Sequence, residues 1–74
     1  MSHPTPLDLP KFPERLRTLR TERGYSQSQL ANLTGTVGSY VSKLESGRQT
    51  PSLAVALRIS RALGVTVEYL LGVS

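Results

Sequence analysis

The sequence contains no cysteine, no tryptophan and only one histidine among its 74 residues. The absence of cysteine excludes disulfide bonds and cysteine-based zinc sites. His3 has no second histidine with which to form a metal site. No apolar run approaches the roughly 20 residues of a membrane span, and the first residues lack the pattern of a signal peptide. We therefore expect a soluble, cytoplasmic protein with no membrane association, no metal and no cofactor.

Positive charge is in excess, with nine lysines and arginines against five acidic residues and a sequence pI of about 10.1. A small basic domain is typical of proteins that bind a polyanion, and nucleic acid is a more common partner than a membrane surface. Lys43 and Arg48 lie near the middle of the chain. Five further basic residues cluster in the region of the first predicted helix: Lys11, Arg15, Arg17, Arg20 and Arg23.

The spacing of apolar residues becomes helical at Phe12, and no alternating strand pattern competes with it. Three prolines before this point predict a flexible, proline-rich arm over residues 1–11. The helical spacing over residues 12–74 predicts a single all-α domain of five short helices. The first three helices are expected at about 13–23, 26–35 and 36–46. The fourth should run from a Ser52 cap to Gly64, and the fifth should follow a Thr66 cap.

Helical periodicity also predicts which side chains of the later helices face the core. In the third helix, Val41 and Leu44 should point inward, with Val37 one turn earlier. In the fourth helix, Leu53 and Leu57 should lie on the same inner side as the other apolar residues. These expectations define a core-facing side for each helix.

The second and third helices are joined by only a few residues, which include Gly35. Two short helices with so tight a connection cross at a steep angle, and this arrangement is a helix-turn-helix. The second helix of such a unit protrudes and fits the DNA major groove. Its outward side chains would be Ser39, Ser42, Lys43 and Ser46, all hydrogen-bond donors. An ordinary solvated face explains them equally well, but the tight turn and the basic charge favour DNA.

Three stretches carry a family resemblance: LRTLRTERGYSQSQLA at 16–31, YVSKLESGRQTPSL at 40–53 and ALGVTVEYLL at 62–71. In order and spacing they resemble the phage-repressor/Cro-like, or xenobiotic-response-element, helix-turn-helix family. The resemblance implies a lambda-repressor-like fold of five helices. It also implies a sequence-specific regulator of transcription that binds double-stranded DNA, a repressor acting as a homodimer on an inverted-repeat operator.

The resemblance further implies roles for individual residues. Arg20 and Glu45 match an ion pair that orients the recognition helix. The positions that match base-facing residues are Gly38, Ser39, Ser42 and Lys43. Those that match contacts to the DNA backbone are Gln27, Arg48, Gln49 and Thr50, and Tyr40 joins them as a candidate for either a DNA contact or packing at the core edge. Val37 departs from the family, which usually has serine or threonine there to cap the helix.

Other functions and partners remain open from the residues alone. An antitoxin-type module could bind a small protein partner and also repress its own operon. We do not expect an enzyme, because the folded part contains no histidine. The candidates for a dimer surface are Val55, Tyr69, Leu71 and Val73, each of which could equally be a core residue.

Overall fold

The computed structural model describes residues 9–73, which form five α-helices and no strand. The helices are α1 (Phe12–Glu22), α2 (Gln27–Thr34), α3 (Gly38–Glu45), α4 (Leu53–Leu63) and α5 (Val67–Leu71). The predicted all-α fold is confirmed, and each helix begins and ends within about two residues of the expected position.

Local capping interactions explain where the helices begin. Ser26 and Gln29 form the predicted capping box, with the Ser26 Oγ accepting from the Gln29 amide at 3.0 Å and the Gln29 Oε1 accepting from the Ser26 amide at 2.7 Å. Ser52 and Thr66 cap α4 and α5 in the same way, each at 3.1 Å from a backbone amide. These caps bind backbone donors that the helix itself leaves without partners.

The core lies where all five helices meet. α3 packs against both α1 and α2, while α4 packs against α2 and α5, and α5 returns to α1. The fully buried side chains of the core include Phe12, Leu16, Leu30, Val41, Leu44, Ile59, Leu63 and Leu70. Each helix therefore contributes at least one apolar side chain to a single cluster, which holds α3 from its inner side.

Most of the predicted arm, together with His3 and Ser74, lies outside the described residues. Of the part that is described, Leu9 packs against the core cluster, and its carbonyl accepts a hydrogen bond from the Phe12 amide at 3.2 Å. No helix between residues 9 and 73 combines the length and the apolar character needed to cross a membrane.

Three of the expected core positions are exposed instead. Val37 is 63% exposed because it is the N-cap of α3 and has an extended backbone, so the helical spacing that buries Val41 does not apply to it. Leu53 is 71% exposed at the first position of α4, one turn before the residues that the neighbouring helices cover. Leu57 is also exposed, at 38%. The predictions for these three side chains were wrong.

Candidate nucleic-acid interface

Only three residues, Gly35 to Val37, separate α2 from α3. Gly35 has a φ of 72°, in the left-handed region that glycine adopts without steric cost. The turn is hydrogen-bonded to α2, since the Thr36 amide donates to the Ala31 carbonyl at 2.9 Å. These interactions fix the direction in which α3 leaves α2.

Gly38, the first residue of α3, lies directly against α2. A Cβ atom at this position would be 3.0 Å from the Ser28 Oγ and 3.6 Å from the Ser28 Cα. A side chain at position 38 would therefore point towards α2 rather than into solvent. The lack of a side chain lets the two helices approach closely at this end.

The face of α3 that points away from the core is polar and open to solvent. Ser39, Ser42 and Lys43 are exposed, while Val41 and Leu44 on the inner face are fully buried. Within residues 9–73, none of the three exposed side chains donates a hydrogen bond to the protein. Two hydroxyl groups and one ammonium group are thus available to an external acceptor.

A cluster of Arg20, Glu45 and Gln27 joins α1, the end of α3 and the start of α2. The Arg20 Nε lies 2.5 Å from the Glu45 Oε2, and the Arg20 Nη2 lies 3.0 Å from the Glu45 Oε1. The Arg20 Nη1 also donates to the Tyr25 carbonyl at 2.7 Å. The Gln27 Nε2 donates to the Glu45 Oε1 at 3.1 Å.

The charges within this cluster compensate each other away from water. The Arg20 and Glu45 side chains are only 11% and 4% exposed. The hydrogen bond to Glu45 raises the pKa of Arg20 above its usual range, and burial lowers it by a smaller amount. Arg20 therefore remains a cation, and the acidic residue at the end of α3 adds no net negative charge to this surface.

The loop after α3 is exposed at the three positions expected to contact a nucleic-acid backbone. The Arg48 amide donates to the Lys43 carbonyl at 3.0 Å, which ties the start of the loop to α3. Arg48, Gln49 and Thr50 all have exposed side chains, and the following Pro51 is buried. Tyr40, in contrast, is half-buried and packs against the core cluster.

Several arginines of α1 and its C-cap bind within the protein rather than forming the basic patch that composition indicates. The Arg15 Nη1 donates to the Tyr69 carbonyl at 2.9 Å, and its guanidinium lies 4.3 Å from the centre of the Tyr69 ring. The Arg23 Nε donates to the Leu63 carbonyl at 2.5 Å. Together with Arg20, these residues attach α1 to other parts of the fold.

The contact between Gln27 and Glu45 was not predicted from the sequence. The two residues are 18 positions apart, so no local pattern relates them. Only the packing of α2 against α3 brings the carboxamide to the carboxylate.

The chain is similar to known proteins over most of its length. A family model described as Helix-turn-helix matches residues 16–70. A curated relative, the SPbeta prophage-derived uncharacterized HTH-type transcriptional regulator YonR of Bacillus subtilis, is 38% identical over 60 residues, covering 81% of this chain and 56% of the relative. The chain spans about half the length of the first curated relatives it matches.

Two solved structures match the fold closely. The restriction-modification controller protein C.AhdI from Aeromonas hydrophila is 44% identical with a TM-score of 0.79, covering 85% of this chain and 96% of that one. The P22 c2 repressor in complex with synthetic operator 9T is 27% identical with a TM-score of 0.81 and the same coverage of 85% and 96%.

Proposed function

The chain belongs to the helix-turn-helix family whose model it matches, and we propose that it regulates transcription by binding double-stranded DNA at specific sequences. This membership confirms the resemblance carried by the three sequence motifs. The single observation that carries the proposal is the exposed polar face of α3, where the side chains of Ser39, Ser42 and Lys43 have no protein partner among residues 9–73. The core supports α3 from the other side, so this face can enter a major groove.

Base readout would rest on a small number of atoms. The Lys43 ammonium group suits the O6 and N7 acceptors of guanine, and the hydroxyls of Ser39 and Ser42 can donate to or accept from base edges. Gly38 has no side chain and would contribute only its backbone, and a Cβ at this position would point towards Ser28. With so few direct contacts, specificity should also depend on DNA shape.

Contacts to the DNA backbone would flank α3 on both sides. Gln27 occupies the first turn of α2, where the backbone amides favour an anion. On the other side, the exposed loop of Arg48, Gln49 and Thr50 follows α3 directly. Tyr40 could reach a phosphate only with the exposed edge of its half-buried side chain. These contacts would set the register of α3 in the groove without reading sequence.

We further propose that the protein is a repressor that binds an inverted repeat as a homodimer. Two-fold symmetry would place two copies of α3 about 34 Å apart, one turn of DNA. Of the residues considered for the dimer surface, Tyr69 and Val73 are 46% and 63% exposed, whereas Val55 and Leu71 pack against the core. Sedimentation equilibrium would measure the dimer. A small protein that copurified with the chain would favour the antitoxin interpretation instead.

Selection of binding sites from random duplex DNA, repeated at two salt concentrations, tests the proposal. We expect an enriched site with two-fold symmetry. Lys43→Ala should lose about 1–3 kcal/mol of discrimination at one or two base pairs, whereas Gln27→Ala should weaken binding to all sequences alike. Arg61→Ala is a control that removes one positive charge from an exposed position on α4.

Two results would contradict parts of this proposal. If no sequence is enriched and the wild-type protein binds all duplexes equally, sequence-specific regulation is wrong. If Lys43→Ala weakens binding equally on all sequences and lowers the salt dependence, Lys43 contacts a phosphate rather than a base.

A further inference from the structure

The carboxylate of Glu45 organises the start of α2 as well as the ion pair with Arg20. The Glu45 side chain is 4% exposed, and its carboxylate accepts hydrogen bonds from three nitrogen atoms, two on Arg20 and one on Gln27. Gln27 itself is half-buried in the first turn of α2. The carboxamide of Gln27 is therefore held between a buried anion and the molecular surface.

The chemistry of Glu45 determines whether the NH₂ group or the carbonyl oxygen of the Gln27 carboxamide faces it. A carboxylate accepts hydrogen bonds and cannot donate them, so it must face the NH₂ group of Gln27 rather than its carbonyl oxygen. The NH₂ group carries two hydrogens, and one of them bonds to Glu45. Within residues 9–73 the other hydrogen has no protein acceptor.

We propose that Glu45 is a positioning residue that orients Gln27 so that its second N–H is presented to a DNA phosphate. This inference rests on the proposed function. A phosphate oxygen needs a donor, and a freely rotating carboxamide would present its carbonyl as often as its NH₂ group. Fixing the group before DNA arrives also reduces the entropy lost on binding. Arg20 compensates the charge of Glu45, so the anion can hold Gln27 without repelling the phosphate.

Glu45→Asp is the most informative variant because it keeps the negative charge near Arg20 while it withdraws the carboxylate by one methylene group from both Arg20 and Gln27. We expect it to weaken binding by about tenfold, the lower end of the value of one hydrogen bond to a charged group. The loss should be equal on all DNA sequences, since a phosphate contact carries no sequence information. Glu22→Asp is the matched control, because the Glu22 side chain is 62% exposed on α1.

A double-mutant cycle with Gln27→Ala separates positioning from a purely structural role. DNA affinity is measured for the wild type, both single variants and the double variant, at a temperature where circular dichroism shows all four folded. If Glu45 acts through Gln27, Glu45→Asp should change affinity by less than about twofold once Gln27 is alanine. All four proteins carry the same net charge, so the slope of log affinity against log salt should also be the same.

Three outcomes would overturn the inference. The first is a loss from Glu45→Asp that persists undiminished in the Gln27→Ala background, and the second is a lower salt slope, which would indicate that α3 and its cationic contacts had moved. The third is wild-type DNA affinity in the Gln27→Ala variant, which would show that the Gln27 side chain makes no contact with a phosphate. The third would also remove Gln27 from the proposed DNA-backbone contacts, but sequence-specific binding itself fails only if the wild-type protein selects no DNA sequence.

Discussion

Replacing Arg20 with methionine should remove a large part of the stability of the domain. Arg20 bonds to Glu45 through two nitrogen atoms and to the Tyr25 carbonyl through a third. Methionine can replace the apolar stem of arginine but none of these hydrogen bonds. The Glu45 side chain is 4% exposed, and its carboxylate would keep only Gln27 as a partner.

The expected cost follows from leaving a buried charge without its counterion. Breaking one partner of a buried pair typically costs about 3–5 kcal/mol. Domains have total stabilities of about 5–15 kcal/mol, and one of this size should lie near the lower limit. With an m-value of about 1 kcal/mol/M in urea, the unfolding midpoint should fall by about 3 M or more.

Urea unfolding followed by far-UV circular dichroism measures this effect. Arg17→Met is the control, since Arg17 is exposed on the same helix, and it should change stability by less than about 0.5 kcal/mol. Combining Arg20→Met with Glu45→Leu should recover most of the loss, because an apolar pair needs no counterion. A midpoint shift below about 1 M for Arg20→Met alone would refute the reasoning.

Three further predictions concern the ends of helices and can be checked by thermal denaturation. Ser26→Ala should cost about 1 kcal/mol by removing the capping box of α2, which corresponds to a fall in Tm of about 4–8 °C; an unchanged Tm would contradict this. Val37→Ser should stabilise by about 1 kcal/mol, since Val37 occupies the N-cap of α3 without a side-chain hydrogen bond and is largely exposed; a lower Tm would show that serine cannot cap there. Gly35→Ala should cost about 1–2 kcal/mol because its φ is 72°, and a neutral result would mean that the turn relaxes.

Local interactions made most of the helical architecture predictable. The caps at Ser26, Ser52 and Thr66 bond to amides three residues later, and the left-handed glycines at 35 and 64 end α2 and α4. Such signals act within about one helical turn, so they can be recognised in the sequence without knowledge of the fold. The same is true of the inward Val41 and Leu44, whose spacing defines the outer face of α3.

The expectations failed, or were incomplete, where the outcome depends on what packs against a residue. Val37 and Leu53 are apolar at suitable spacing, yet no neighbouring helix covers them. The family resemblance, rather than any local pattern, suggested that Arg20 and Glu45 meet. Residues 25 positions apart come into contact only when α1 packs against α3.

By itself, the sequence determined the number of helices, their approximate ends and the polar face of α3, because each depends on interactions between near neighbours. Only the tertiary structure decided how the charged side chains are used. A sequence records the charge of an arginine, but whether the guanidinium meets a carbonyl, a buried carboxylate or solvent depends on which helices lie beside it. Arg15 and Arg23 bond to distant carbonyls, and Glu45 lies within reach of Gln27, because the helices pack as they do.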